Sequence, residues 1–286
     1  MTGMTDGIIA GYDGSAGSDE ALRWAAREAW ARGTALTICL AWPAADLLQL
    51  GDWEASNRAR QLGGDILARG VRLAGTVPDL TDVRTVLAEG SPAHVLCEHS
   101  SAAEMVVVGS RGHGGMADSW LGSVSWQVAN HGQGRVVVVR GHWRSVNQSP
   151  GPVVAGVDGS SASQDALRFA FEEAALRDVP LVAVCALADA PGKVGGAARM
   201  EDDFSRQMTL HEKEHPEITV LRQVAFGAPR LALLTAAAEA QLVVVGSRGL
   251  GGVEGMSLGS VAGALVHHSP CPIAVVHPPD APGRVS

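Results

Sequence analysis

Gly109-Ser110-Arg111-Gly112-His113-Gly114-Gly115, continuing to Gly122-Ser123-Val124-Ser125, follows the apolar run Met105-Val106-Val107-Val108. A short helix is expected from about Ser123 to Asn130. The order strand, glycine loop, helix start has a physical meaning. Glycine lacks Cβ, so the backbone can turn with positive φ and bring its N–H groups close to a ligand. The unpaired N–H groups and positive dipole end of the helix favour an anion. Ser123 is placed either to cap that helix or to donate to a phosphate oxygen, and Arg111 adds positive charge to the loop.

The pattern occurs twice. Gly246-Ser247-Arg248-Gly249-Leu250-Gly251-Gly252 follows Leu242-Val243-Val244-Val245 and leads to Gly259-Ser260-Val261-Ala262. Both copies read G-x-x-G, nine residues, G-S. One glycine-rich loop is weak information, since tight turns use the same residues. Two copies at matched spacing, each between a strand and a helix, are not a chance turn.

Working outward, the rest of the chain repeats too. Gly7-Ile8-Ile9-Ala10-Gly11 reads as a buried strand ending in Tyr12-Asp13-Gly14-Ser15, and Val153-Val154-Ala155-Gly156-Val157-Asp158-Gly159-Ser160 repeats it. A helix follows from about Ser18, read as its N-cap, to Arg32, with Gly33 as the stop; residues 163–177 repeat it. Strands are expected over 35–42 and 181–186, then over 83–88 and 220–225. Gly90-Ser91-Pro92 and Gly227-Ala228-Pro229 each turn into a further helix, and 136–139 and 273–276 close the two halves. Polar helical sequence fills 53–73. The segment 140–152 reads as a linker and 278–286 as a tail. The domains are therefore placed at 1–141 and 151–279. Strands alternating with helices imply an α/β fold of two tandem doubly wound domains, each a five-stranded parallel sheet with helices on both faces. Ligands of such sheets bind beyond the carboxyl ends of the strands, where strand order reverses. The two apolar last strands, 136–139 and 273–276, are expected to pair the halves.

Composition bounds the function. With 286 residues the chain suits two domains. Its formal charge of −8 leaves no basic footprint for nucleic acid. No apolar run is long enough to span a bilayer, and the first residues do not form a signal peptide, so a cytoplasmic location is expected. The cysteines, Cys39, Cys97, Cys185 and Cys271, lack CxxC pairing and read as reduced core thiols.

Asp13 and Asp158 end the first strand of their halves. Gly11, Gly14 and Gly17 have the wrong spacing for a dinucleotide fingerprint, and a carboxylate would repel a pyrophosphate. It suits acceptance from a ribose hydroxyl or a base amine; alternatively it caps the next turn. Trp42, at the end of the second strand, either stacks on a base or points into the core. No Gly-Lys-Ser/Thr follows the glycines, so neither loop is a P-loop. No Ser/His/Asp set recurs in both halves. His131 and His268 match near helix ends, and His94 and His99 lack a third ligand for a metal. Binding is better supported than catalysis, and no catalytic or metal-ligating residue is assigned.

The G-Y-D-G-S and G-V-D-G-S strand ends, the G-S-P and G-A-P turns and both G-x-x-G, nine residues, G-S loops resemble the universal stress protein family, in its ATP-binding, tandem-domain form. The resemblance implies ATP as ligand, often with Mg²⁺, with adenine and ribose near the first two strands and the triphosphate on the fourth-strand loop. It implies a first site of Gly11, Asp13, Gly109 to Gly115, Gly122, Ser123, Val124 and Ser125. The second site it implies is Gly156, Asp158, Gly246 to Gly252, Gly259, Ser260, Val261 and Ala262, with Gly227 and Asp189 as further candidates. Ala44 is opposite Asp189 in the repeat. Ala262 replaces Ser125 and is expected to lose one phosphate contact. The function implied is a stress-response or regulatory module with two nucleotide sites; the alternative is an ATP-using enzyme, a slow ATPase or an adenylating activity, on the same fold. A homodimer in addition to the intrachain pair is compatible with the sequence.

Overall fold

The computed structural model describes residues 7–42, 53–112, 121–140, 151–187, 196–250 and 258–278. His113, Gly114, Gly115, Asp189, Gly251 and Gly252 lie outside the described residues. The chain folds as two compact units that divide after Arg140.

The first unit has strands β1 (Ile8–Gly11), β2 (Leu36–Trp42), β3 (Val83–Glu89), β4 (Met105–Gly109) and β5 (Arg135–Val139). Its described helices are α1 (Ala16–Arg32), α2 (Trp53–Ala74), α3 (Pro92–Ser100) and α4 (Ser123–His131). All strand pairs are parallel, in the order β3-β2-β1-β4-β5. The second unit repeats this with β6 (Val153–Gly156), β7 (Leu181–Leu187), β8 (Val220–Phe226), β9 (Leu242–Gly246) and β10 (Ile273–Val276). Its helices are α5 (Ser161–Arg177), α6 (Gly196–Glu214), α7 (Pro229–Ala237) and α8 (Ser260–His268), and its strand order is β8-β7-β6-β9-β10.

Central strands are apolar on both sides because both faces are covered; β4 is buried throughout. Gly63 and Gly70 bring α2 down onto one face, against Leu40 and Leu87 and against Tyr12 and Ile38. Leu96 of α3 covers the other face at Gly11. The outer strands β3 and β8 carry exposed polar groups, including Arg84 and Arg222, as unpaired sheet edges require.

One helix start differs from the expected place. Ser15, not Ser18, is the N-cap of α1: its backbone is extended and its Oγ accepts from Ser18 N at 3.2 Å. Ser160 does the same for α5, accepting from Ser163 N at 3.2 Å. Gly33 stops α1 with φ 64°, as expected, whereas Asp178 takes the left-handed position after α5 with φ 52°; a short polar side chain tolerates it best after glycine. Cys39, Cys185 and Cys271 are buried free thiols, but Cys97 is only half-buried. Burial pushes the Cys39 thiol up to about 12, which keeps it protonated and inert. Among the described residues no helix is long and apolar enough to cross a membrane.

Candidate nucleotide site

Strand order reverses between β1 and β4, and again between β6 and β9. The loops leaving those strands meet there. In the first unit Asp13 Oδ1 accepts from Ser15 N at 3.0 Å and Ser15 Oγ at 2.6 Å. Its Oδ2 occupies the place of a side chain on Gly112: a Cβ there would lie under 3.0 Å from it. In the second unit Asp158 Oδ1 accepts from Ser160 N at 3.0 Å and Ser160 Oγ at 2.6 Å. Asp158 Oδ2 accepts from Leu250 N at 3.0 Å, and a Cβ on Gly249 would again fall under 3.0 Å from Oδ2. Both aspartates thus cap their own turn and lie against the glycine loop, and Asp158 also holds its loop through Leu250 N.

The first turn of α1 closes on the same loop. A Cβ on Gly109 would strike the Gly17 carbonyl, and one on Gly17 would strike the Arg111 carbonyl. In the second unit Ala162 stands where Gly17 does, packed against Gly246. Ser110 and Ser247 are buried. Their N–H groups donate to Val139 and Val276 at 2.8 Å, and their carbonyls accept from Gly122 N at 2.8 Å and Gly259 N at 2.7 Å. Ser247 Oγ is a buried hydroxyl without a hydrogen-bond partner among the described residues.

Gly122 and Gly259 are the N-caps of α4 and α8, and among the described residues neither helix has a side-chain cap bond. The first backbone bond inside α4 runs from Trp126 N to Gly122 O at 3.0 Å. The N–H groups of Ser123, Val124 and Ser125 therefore point out of the helix end, as do those of Ser260, Val261 and Ala262. Ser123 and Ser260 sit one residue inside the cap and are exposed, so neither caps its helix.

Ser125 turns inward. Its Oγ donates to the Gly109 carbonyl at 2.5 Å and is buried. Ala262, buried at the matching position, lacks that bond. The second unit lacks there a bond inside the protein that the first unit has.

Arg111 and Arg248 are exposed on their loops. Arg140, read from sequence as the start of a linker, follows directly on β5, whose Val139 lies beside Gly109. Burial, with a contribution from the Arg111 charge, lowers the Arg140 guanidinium from its ordinary range, so two cations gather at this loop. The cue was available: the residue after the last strand always neighbours the fourth-strand loop in this strand order. Trp42 is half-buried, beside Glu89 in the β2–β3 register, and Gly11 and Gly156 end β1 and β6.

A second network holds the first unit only. Tyr12 Oη donates to Asp19 Oδ1 at 2.8 Å, Arg69 of α2 pairs with Asp19 Oδ2, and Arg69 Nη1 donates to Gly14 O at 2.8 Å. Burial and then the Asp19 bond push Tyr12 up to about 12. Val157 and Gln164 stand in the second unit where Tyr12 and Asp19 stand in the first. Among the described residues no group of three His, Cys, Asp or Glu side chains could hold a metal.

The description "Universal stress protein family" matches residues 4–140 and again 151–277. A universal stress protein of Mycolicibacterium smegmatis is 36% identical over 294 residues, covering 95% of this chain and 97% of that protein. A universal stress protein of Mycobacterium tuberculosis is 35% identical over 289 residues, covering 94% and 96%. The crystal structure of a universal stress protein from Archaeoglobus fulgidus shares the fold, with a TM-score of 0.73 at 22% identity over 95% of this chain and 98% of that one. With both halves matched by the family and relatives of this identity spanning nearly its whole length, the chain belongs to the universal stress protein family.

Proposed function

We propose that each half binds one adenine nucleotide, ATP, and that the protein works as a stress-response or regulatory module through that occupancy. The observation that carries this reading is the repeated meeting, where strand order reverses, of an aspartate loop, a glycine loop and an uncapped helix N-terminus. Cβ-free backbone and outward N–H groups suit an anion that approaches closely. The phosphates lie along Gly109 to Gly112 and the start of α4 in the first half. In the second they lie along Gly246 to Gly249 and the start of α8. Arg111 and Arg140 supply charge in the first half and Arg248 in the second. Ser247 Oγ offers the second site a buried hydroxyl in want of a partner.

Ribose and base extend from the phosphates past Asp13 toward Trp42, and past Asp158 toward the end of β7. The carboxylates have lone pairs left for a ribose hydroxyl after their bonds to the loops. Mg²⁺ enters with the triphosphate. The net charge of −8 fits a small anionic ligand held locally and no nucleic-acid partner.

The test is calorimetry with Mg-ATP on the full chain, joined to mass spectrometry of small molecules released on denaturation. Two sites per chain, or bound adenine nucleotide on release, is the expected result. A flat titration with nothing released overturns the reading. A turnover assay on the same sample separates simple binding from slow hydrolysis.

A further inference from the structure

The carboxyl ends of the second and third strands of each unit form a register pair: Trp42 beside Glu89, and Leu187 beside Phe226. Side chains alternate along a strand, so Phe226 shares a face with Arg222. Arg222 reaches Glu212 and Thr209 on α6, which puts Phe226 on the α6 face. In the first unit Arg60 of α2 bonds Glu89 at 3.0 Å, which puts Glu89 and its neighbour Trp42 on the corresponding face. At the ends of these two strands each unit therefore carries one aromatic ring, but on different strands. The first carries it on β2. In the second the β7 residue, Leu187, is only 2% exposed, and the ring of Phe226 on β8 is 53% exposed.

Among the described residues the surroundings of Phe226 are open. Gly227 leaves β8 with φ 108° and donates its N–H to the Leu187 carbonyl at 2.9 Å. Among the described residues a Cβ on Gly227 would meet nothing within 4 Å. Two strand spacings separate β8 from β6, which carries Asp158 into its loop, so Phe226 stands on the order of 10 Å across the sheet from that strand. The glycine loop leaves β9, one spacing beyond β6, so the span from that loop to β8 is on the order of 15 Å, the reach of a whole extended nucleotide with its phosphates.

We propose that Phe226 is the stacking surface for the planar base of the nucleotide in the second unit, the part that Trp42 takes in the first. The inference rests on the nucleotide site proposed above and adds the residue that selects a base over bare polyphosphate. Base–aromatic stacking tolerates any ring with a π-face. The aromatic can therefore move from one strand to its neighbour while the ligand class stays the same.

The test uses the full chain, with ATP and inorganic tripolyphosphate as separate probes in calorimetry. Phe226→Leu is expected to weaken ATP at one of the two sites by about 5- to 100-fold and to leave tripolyphosphate unchanged, while Phe226→Tyr keeps both. The ring is exposed, so folding should survive, and the Tyr variant keeps the test valid if the Leu variant melts early. Unchanged ATP affinity in Phe226→Leu overturns this inference and leaves the nucleotide site standing. An equal loss for ATP and tripolyphosphate also overturns it, because a damaged loop would do that. A wild-type chain that binds no ATP overturns the proposed function and this inference together.

Discussion

Asp158 accepts the backbone N–H of Leu250 through Oδ2 at 3.0 Å while its Oδ1 holds Ser160. One carboxylate thus ties the turn that starts α5 to the glycine loop after β9, two segments some ninety residues apart in the chain. Asp13 likewise holds Ser15, and its Oδ2 fills the space that a side chain on Gly112 would need. The absence of a side chain at Gly112 and Gly249 is demanded by the protein itself before any ligand arrives.

That relation predicts a coupled pair. Gly249→Ala is expected to cost about 1–2 kcal/mol, since its Cβ must displace the Asp158 carboxylate. In an Asp158→Ala background the same change should cost less than about 0.5 kcal/mol. Urea unfolding of the four proteins measures the cycle; additive effects would show that the carboxylate and the glycine do not oppose each other. Gly249→Glu and Gly112→Glu should each remove nucleotide binding from their own half.

Ser125→Ala should lower the stability of the first unit by about 1 kcal/mol, because it removes the donor to the Gly109 carbonyl. ATP affinity should stay as in the wild type. A weakened ATP titration with unchanged unfolding would mean that the hydroxyl serves the ligand instead.

Acid should weaken the second unit through His211. Its ring stacks on the buried Phe171 at 5.3 Å, with His215 on the same ring at 5.2 Å. Burial lowers its pKa below the ordinary 6.5, Glu214 opposes the shift, and His215 and Arg168 add to it. The folded state therefore prefers the neutral ring. Its contribution is full above pH 6.5 and is lost as pH falls from there through the folded value. The melting midpoint should drop between pH 7 and pH 5, and His211→Gln should flatten that drop. An unchanged slope in the variant would remove His211 as the cause.

Tryptophan emission should report the first site alone. All seven tryptophans precede the second unit's first strand, and the four phenylalanines follow it. Trp42 sits half-buried at the end of β2, where a stacking base would quench or shift it. An ATP titration should change emission in Gly249→Glu and leave it flat in Gly112→Glu. Equal responses in both would mean that the indoles follow a global change.

The repeat, the strand–helix alternation and the two glycine loops were legible in the sequence because they are written in neighbouring residues. Short β-branched runs such as Met105 to Val108 encode a doubly covered strand, and Gly33 encodes a helix stop. These signals need only periodicity and backbone sterics. They were enough for the fold class, for the resemblance to a family and for the loops as the place to look.

The tertiary structure decided what each side chain does. Ser15 caps α1 because Asp13 folds the turn beneath it, which displaces Ser18 from that role. Ser125 faces Gly109 because α4 docks its buried side on the end of β4. Arg140 joins Arg111 because β5 pairs with β4. Phe226 comes to lie beside Leu187, the counterpart of Trp42, through the pairing of β7 with β8. Each of these depends on the register between strands or on how a helix seats, and so on packing between residues distant in the chain. A single sequence states which residues are apolar, small or charged; which of them meet is set by the sheet that buries them.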